Sequence, residues 1–180
     1  MKHTIVALMQ DHPGVLHRVV SLFRRRGYNI DSLTVGRSET PGVSRMTIVT
    51  DGADVDQVTK QLYRLIEVLK VADVTEAPTV EREIALLKVN APRSARAELV
   101  ALCTVFGAKT ADLGPSTMII EVTGEPPEIE RFLDVVRPFG IKEMMRTGRI
   151  AMIRGSTAHQ AALEVDSPED PPLPALALAG

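Results

Sequence analysis

The residues Asp11-His12-Pro13-Gly14-Val15-Leu16 are the types best suited to gripping a small charged molecule. Pro13 fits the first position of a helix, because its φ is fixed and it has no N–H to lose. Gly14 follows, and without a Cβ there a ligand can approach backbone N–H groups that a first helical turn leaves unpaired. The helix dipole favours a carboxylate at that point, and Asp11 could take the opposite charge, so the loop suits a small zwitterion. A tight strand-to-helix turn with no ligand would use the same Pro-Gly pair, and the loop by itself leaves both readings open.

A helix must carry this loop. Val15, Leu16, Val19, Val20, Leu22 and Phe23 recur with helical period, while His17, Arg18, Ser21, Arg24 and Arg25 fall on the opposite face. Arg24, Arg25 and Arg26 fill the last turn, where cations complement free carbonyls, and Gly27 supplies the left-handed cap. Tyr28, Asn29 and Ile30 lead into a strand; taken by itself, Asn29 reads first as a left-handed turn residue. His12 and His17 read as a loop residue and a solvated helix residue.

Around this helix the order of elements is β-α-β-β-α-β. The apolar run 4–9 suits a central strand covered by helices, and 30–37 and 43–50 form a hairpin about Ser38-Glu39-Thr40-Pro41-Gly42. Asp54 is placed to cap a second helix carrying Val55, Val58, Leu62, Leu65, Ile66 and Leu69, and 71–75 is a short fourth strand. After Pro78 the order restarts: strand 84–89, helix 94–106 closed by Gly107, a hairpin of 108–113 and 117–123, a helix opened by Pro127, and strand 141–145. Leu22, Gly27 and Leu33 match Leu102, Gly107 and Leu113 at one constant offset. The expectation is an α+β protein of two tandem ferredoxin-like units, at 1–77 and 78–155. The remainder, 156–180, has Pro168, Pro171, Pro172 and Pro174 among acidic residues and an Ala/Leu run, and is expected to be a flexible tail. A short segment docking on a partner is the other reading. Glu81-Arg82-Glu83, opening the second unit, reads as a strand-start charge pattern, with an interdomain or subunit contact as the alternative.

Composition narrows the function. A chain of 180 residues that is 44% hydrophobic and 24% charged is ordinary for a soluble protein, and a net charge of -2 gives no electrostatic case for nucleic acid or an anionic membrane. With no Trp, two Tyr and four Phe, there is little on which to stack bases. The single cysteine, Cys103, lies on an apolar helical face with Leu99, Leu102 and Phe106, which excludes a disulfide framework and reads as an inert buried thiol. No apolar run is long enough to span a bilayer and no charged-then-apolar leader is present, so the chain reads as cytoplasmic. The sequence has no G-x-G-x-x-G, P-loop, His/Cys metal cluster or Gly-Asp-Gly cofactor motif.

D-x-P-G-V-L between a first strand and helix, closing in R-G-Y-N-I, resembles the effector loop of ACT domains. R-R-G-Y-N-I-D-S-L-T-V (25–35), S-R-M-T-I-V (44–49), Q-L-Y-R-L-I-E-V-L-K-V (61–71) and V-E-R-E-I-A-L-L-K-V (80–89) are similar to the regulatory small subunit of acetolactate synthase, also called acetohydroxyacid synthase. The likeness covers about residues 2–155 and omits the tail. It implies a non-catalytic chain that forms a homodimer through its ACT domain and binds the catalytic large subunit. It further implies activation of that subunit and feedback inhibition by a branched-chain amino acid, valine first. Catalysis and the cofactors, thiamine diphosphate, Mg and FAD, belong to the partner; none is expected in this chain. Carried over residue by residue, the resemblance assigns the effector site to Asp11, His12, Pro13, Gly14, Val15 and Leu16 of one protomer and Asn29 and Ile30 of the other. Valine-responsive members often have Asn where this chain has Asp11, an acid that would pair with an ammonium but repel a carboxylate. From another class, a stand-alone amino-acid sensor acting on a different enzyme would use the same loop.

Overall fold

Periodicity of two and of 3.6 alternate along the chain, and the computed structural model, which describes residues 1–51 and 54–155, assembles them into two sheets with helices against one face of each. The expectation for the 156–180 tail lies outside the described residues. The first unit runs β1 (Lys2–Gln10), α1 (Val15–Arg26), β2 (Ser32–Arg37), β3 (Val43–Asp51), α2 (Val55–Leu62) and β4 (Val68–Asp73). Its antiparallel sheet has the order β2-β3-β1-β4, so β2 and β4 are the edges. The second runs β5 (Thr79–Asn90), α3 (Arg96–Phe106), β6 (Lys109–Leu113), β7 (Thr117–Gly124), α4 (Pro126–Val136), a 3-10 turn (Arg137–Phe139) and β8 (Ile141–Arg146), with sheet order β6-β7-β5-β8. This is the expected tandem of ferredoxin-like units.

Each unit buries its own core. Ile5, Ala7 and Met9 of β1 face Val15, Val19, Leu22 and Phe23 of α1 with Val58 and Leu62 of α2. Leu87 and Val89 of β5 face Leu99 and Cys103 of α3 with Ile129, Phe132 and Val136 of α4. Gly27 and Gly107 close α1 and α3 at φ 69 and 65, the left-handed caps the sequence asked for. β1 is buried on both faces because a further cluster, Val6, Leu8, Val43, Ala72 and Val74, lies on the side away from the helices, packed against Leu69, Ala77 and Ile153. Of these three, Ile153 comes from beyond the first unit.

Several expected boundaries are corrected. Pro13 is not in the helix: α1 starts at Val15 with Gly14 as its N-cap. The second helix stops at Leu62 instead of continuing to Leu69, and β4 starts at Val68, because Val68 pairs with Met9 and Val71 with Ala7. Strand pairing in the core overrides the helical spacing of Leu65, Ile66 and Leu69. α3 begins at Arg96, and α4 begins at Pro126, one residue before Pro127, where the Glu128 carboxylate accepts the Glu125 N–H at 2.8 Å. β5 is twice the expected length. Its first residues, Thr79 to Arg82, pair with an unexpected strand, β9 (Ile150–Ile153).

Candidate effector-binding site

Gly14 has φ 94 and ψ -17, and the Val15 N–H reaches back to the His12 C=O at 3.5 Å. That is a type II turn, with Pro13 at its second position and Gly14 at the third, where a positive φ is required. The Gly14 C=O then accepts the Arg18 N–H at 3.1 Å as the first helical bond. The N–H groups of Leu16 and His17 find no acceptor among the described residues, α1 has no side-chain cap, and its first turn carries no acid. The positive end of the dipole is therefore open to an anion. Val15 is buried in the core, whereas Leu16 and Val20 are 42% and 40% exposed, an apolar strip beside the open helix end.

Asp11 is fixed by its N–H to the Gly42 C=O at 2.8 Å, and its carboxylate lies 3.4 Å from Arg37 Nε at the end of β2. Sequence reasoning missed Arg37, which only the hairpin register carries to the loop; its cation offsets the charge of Asp11. Asp11, Arg37 and the hairpin residues Ser38 and Thr40 to Val43 border a cleft of about 300 Å³. The His12 ring nitrogens sit 3.2 Å from the Pro13 C=O and 3.1 Å from Gln10 Oε1, and both His12 and His17 are exposed.

Asn29 and Ile30 lie elsewhere. The Asn29 amide donates to Asp31 Oδ1 at 2.7 Å, the Asn29 C=O accepts from Thr50 Oγ1 at 2.6 Å, and Lys2 Nζ holds the other Asp31 oxygen at 3.1 Å. Ile30 packs against the first core. Thr50 pairs with His3 near the beginning of β1, whereas Val43 pairs with Gln10 at its end. The two groups of site residues are thus separated by the length of β1, roughly 25 Å at about 3.4 Å per residue. One chain does not bring them together.

The start of β2 also borders the joint with the second unit, across a cleft of about 610 Å³ lined by Asp31 to Leu33, Pro126, Pro127 and Arg146 to Arg149. Its charges are paired. Arg146 binds buried Glu83 and exposed Glu130; burial works against the cation, but these hydrogen bonds and charges outweigh it and hold its pKa above the ordinary arginine value. Arg149 reaches Glu81 Oε2 at 3.2 Å and Thr4 Oγ1 at 3.3 Å. Arg45 of β3 donates to the Ala151 C=O of β9 at 3.0 Å, with its pKa lowered by burial. Glu81 and Glu83 thus hold arginines of their own unit, and of these arginines Arg149 goes on to the first unit, at Thr4.

Residues 5–70 match the AHAS small subunit-like ACT domain family, and residues 82–155 match the family described as the small subunit of acetolactate synthase. A probable acetolactate synthase small subunit from Archaeoglobus fulgidus is 52% identical over 158 residues, covering 87% of this chain and 99% of that one. The chain belongs to the acetolactate synthase small-subunit family. The acetolactate synthase small subunit of Bacillus subtilis is 44% identical over 159 residues, covering 87% and 92% of the two chains. The crystal structure of the acetolactate synthase small subunit from Thermotoga maritima superposes with a TM-score of 0.80 at 40% identity, over 87% and 99% of the two chains. Among the described residues no group of three or more His, Cys, Asp or Glu side chains could hold a metal ion, and no helix is long and apolar enough to cross a membrane.

Proposed function

We propose that this small subunit docks on the catalytic subunit of acetolactate synthase in the cytoplasm, raises its activity, and places it under feedback inhibition by a branched-chain amino acid, valine first. Thiamine diphosphate, Mg and FAD reside in the catalytic partner, and this chain performs no chemistry. The effector is held between two ACT domains. Its carboxylate caps the open N–H groups of Leu16 and His17 beside Pro13, Gly14 and Val15 of one protomer. Its ammonium pairs with Asp11 or the Asn29 amide, and its branched side chain lies against Ile30 of the second protomer.

The observation that carries this reading is the separation of Asp11 to Leu16 from Asn29 and Ile30 in one chain, together with the position of β2 at a sheet edge. Antiparallel pairing of β2 with its copy sets the start of one strand beside the end of the other. Asn29 and Ile30 precede that start, and Arg37 at that end is bound to Asp11. A twofold axis through β2 therefore completes two pockets at once, and the same axis lets the exposed Leu16 and Val20 of paired α1 helices cover one another.

The test is acetolactate formation by the cognate catalytic subunit with and without this chain, while valine, leucine and isoleucine are titrated. Activation followed by inhibition with one of them supports the partner and the pocket. Activation that none of the three reverses removes the effector from the reading. No effect on the catalytic subunit returns the protein to the stand-alone sensor class.

A further inference from the structure

The corner 147–149, between β8 and β9, is seated on strand β2. A Cβ at Gly148 would lie 2.3 Å from Thr34 Oγ1 and 2.6 Å from the Leu33 C=O, so only a glycine allows this approach. The next residue, Arg149, donates its N–H to Ser32 Oγ at 2.8 Å and sends its guanidinium to Thr4 on β1 and to Glu81 on β5. Ser32, Leu33 and Thr34 are thus all in contact with the second unit, beginning two positions after Ile30. Beside them, Asp31 to Leu33 of the first unit and Pro126 and Pro127 of α4 line one cleft.

We propose that this corner couples the effector pocket to the second unit, with Gly148 and Arg149 as its positioning residues. The inference rests on the effector site proposed above. A ligand that draws Asn29 and Ile30 toward a second protomer displaces the start of β2. Ser32 and Thr34 move with it, and the absence of any gap at Gly148 passes the displacement to 147–149 and on through Arg149 to β5. Arg149 lies between two carboxylates of β5, Glu81 at 3.2 Å and Glu83 at 3.8 Å, and a shift of the corner moves it from one toward the other, which gives the contact two arrangements for the effector to choose between.

The test uses the holoenzyme reconstituted with the cognate catalytic subunit, and the variants Gly148→Ala, Ser32→Ala and Ser32→Thr. Binding of valine, leucine and isoleucine is measured by calorimetry and inhibition by acetolactate formation. Coupling between two sites ordinarily amounts to about 5- to 150-fold in affinity. In Gly148→Ala and Ser32→Ala the effector is expected to bind with the wild-type Kd while that factor falls toward one and residual activity at saturation rises; Ser32→Thr, which keeps the hydroxyl, restores inhibition. If Gly148→Ala fails to fold around its new methyl, the Ser32 pair decides. Inhibition as deep in Ser32→Ala as in the wild type overturns the coupling role and leaves the effector site standing. A wild-type enzyme indifferent to all three amino acids overturns both.

Discussion

Gly14 answers to two separate demands, one conformational and one steric, and substitutions can tell them apart. A Cβ there meets nothing within 4 Å, so Gly14→Ala is costly only through its φ of 94, about 1–2 kcal/mol of stability. Asp tolerates the left-handed region better than Ala and suits an N-cap, so Gly14→Asp should melt no lower than Gly14→Ala. It nevertheless puts a carboxylate where the effector's belongs. The expected outcome is loss of feedback inhibition with activation of the catalytic subunit retained, checked by thermal melts and inhibition curves on the two variants side by side. A Gly14→Asp enzyme that remained fully inhibitable would place the pocket elsewhere. At this scale the burial of Cys103 was legible beforehand, and the positive φ that Gly14 takes as N-cap was not. The partners of Asp11 and Asn29 were not, because Arg37 meets Asp11 only through the register of β2 on β3 and Asp31 meets Asn29 only through a local fold-back of side chains.

Strand β2 is where the proposed dimer can be separated from the fold. The Ser38 N–H bonds the Val43 C=O at 2.9 Å, and the alternation that follows turns the backbone groups of Leu33, Val35 and Arg37 away from β3. Val35→Pro therefore removes an N–H from the outer edge and none from the ladder within the chain, a position where proline is tolerated. Sedimentation should show the variant shifting from dimer to monomer while its circular dichroism is unchanged, and inhibition should be lost with the dimer. A variant still dimeric and inhibitable would exclude β2 as the seam. The elements themselves were largely readable from periodicity and from the glycine caps. What periodicity does not carry has one physical origin: the end of α2, the start of β4 and the whole of β9 are each decided by strand pairing. Val68 is a strand residue because Met9 is beside it, and Ile150 to Ile153 form a strand because Thr79 to Arg82 extend β5 past its own sheet.

At the scale of the whole molecule the two cores are separate and are expected to respond separately to injury. Phe132→Ala, removing a fully buried ring that also contacts Phe106, should cost about 3–5 kcal/mol. Unfolding followed by denaturant should show the loss in the second unit. Burial also raises the pKa of the Cys103 thiol above its ordinary value, so the folded state holds the proton that the unfolded chain releases. The stability this contributes is complete below the unfolded thiol's pKa and is lost as pH rises through the folded one. Cys103 should accordingly resist an aromatic disulfide reagent in the native protein and react at once in denaturant; fast labelling of the native protein would contradict its burial. The way Ile153 closes the far face of the first sheet bears on how this protein can be dissected. A chain cut after residue 77 would retain β1 to β4, α1 and α2, yet Val6, Leu8 and Val74 would lose the Ile153 cover, and Arg45 and Thr4 would lose their partners on Ala151 and Arg149. The amino-terminal half is complete as a fold and incomplete as an object: isolated, it should bind hydrophobic dyes and aggregate.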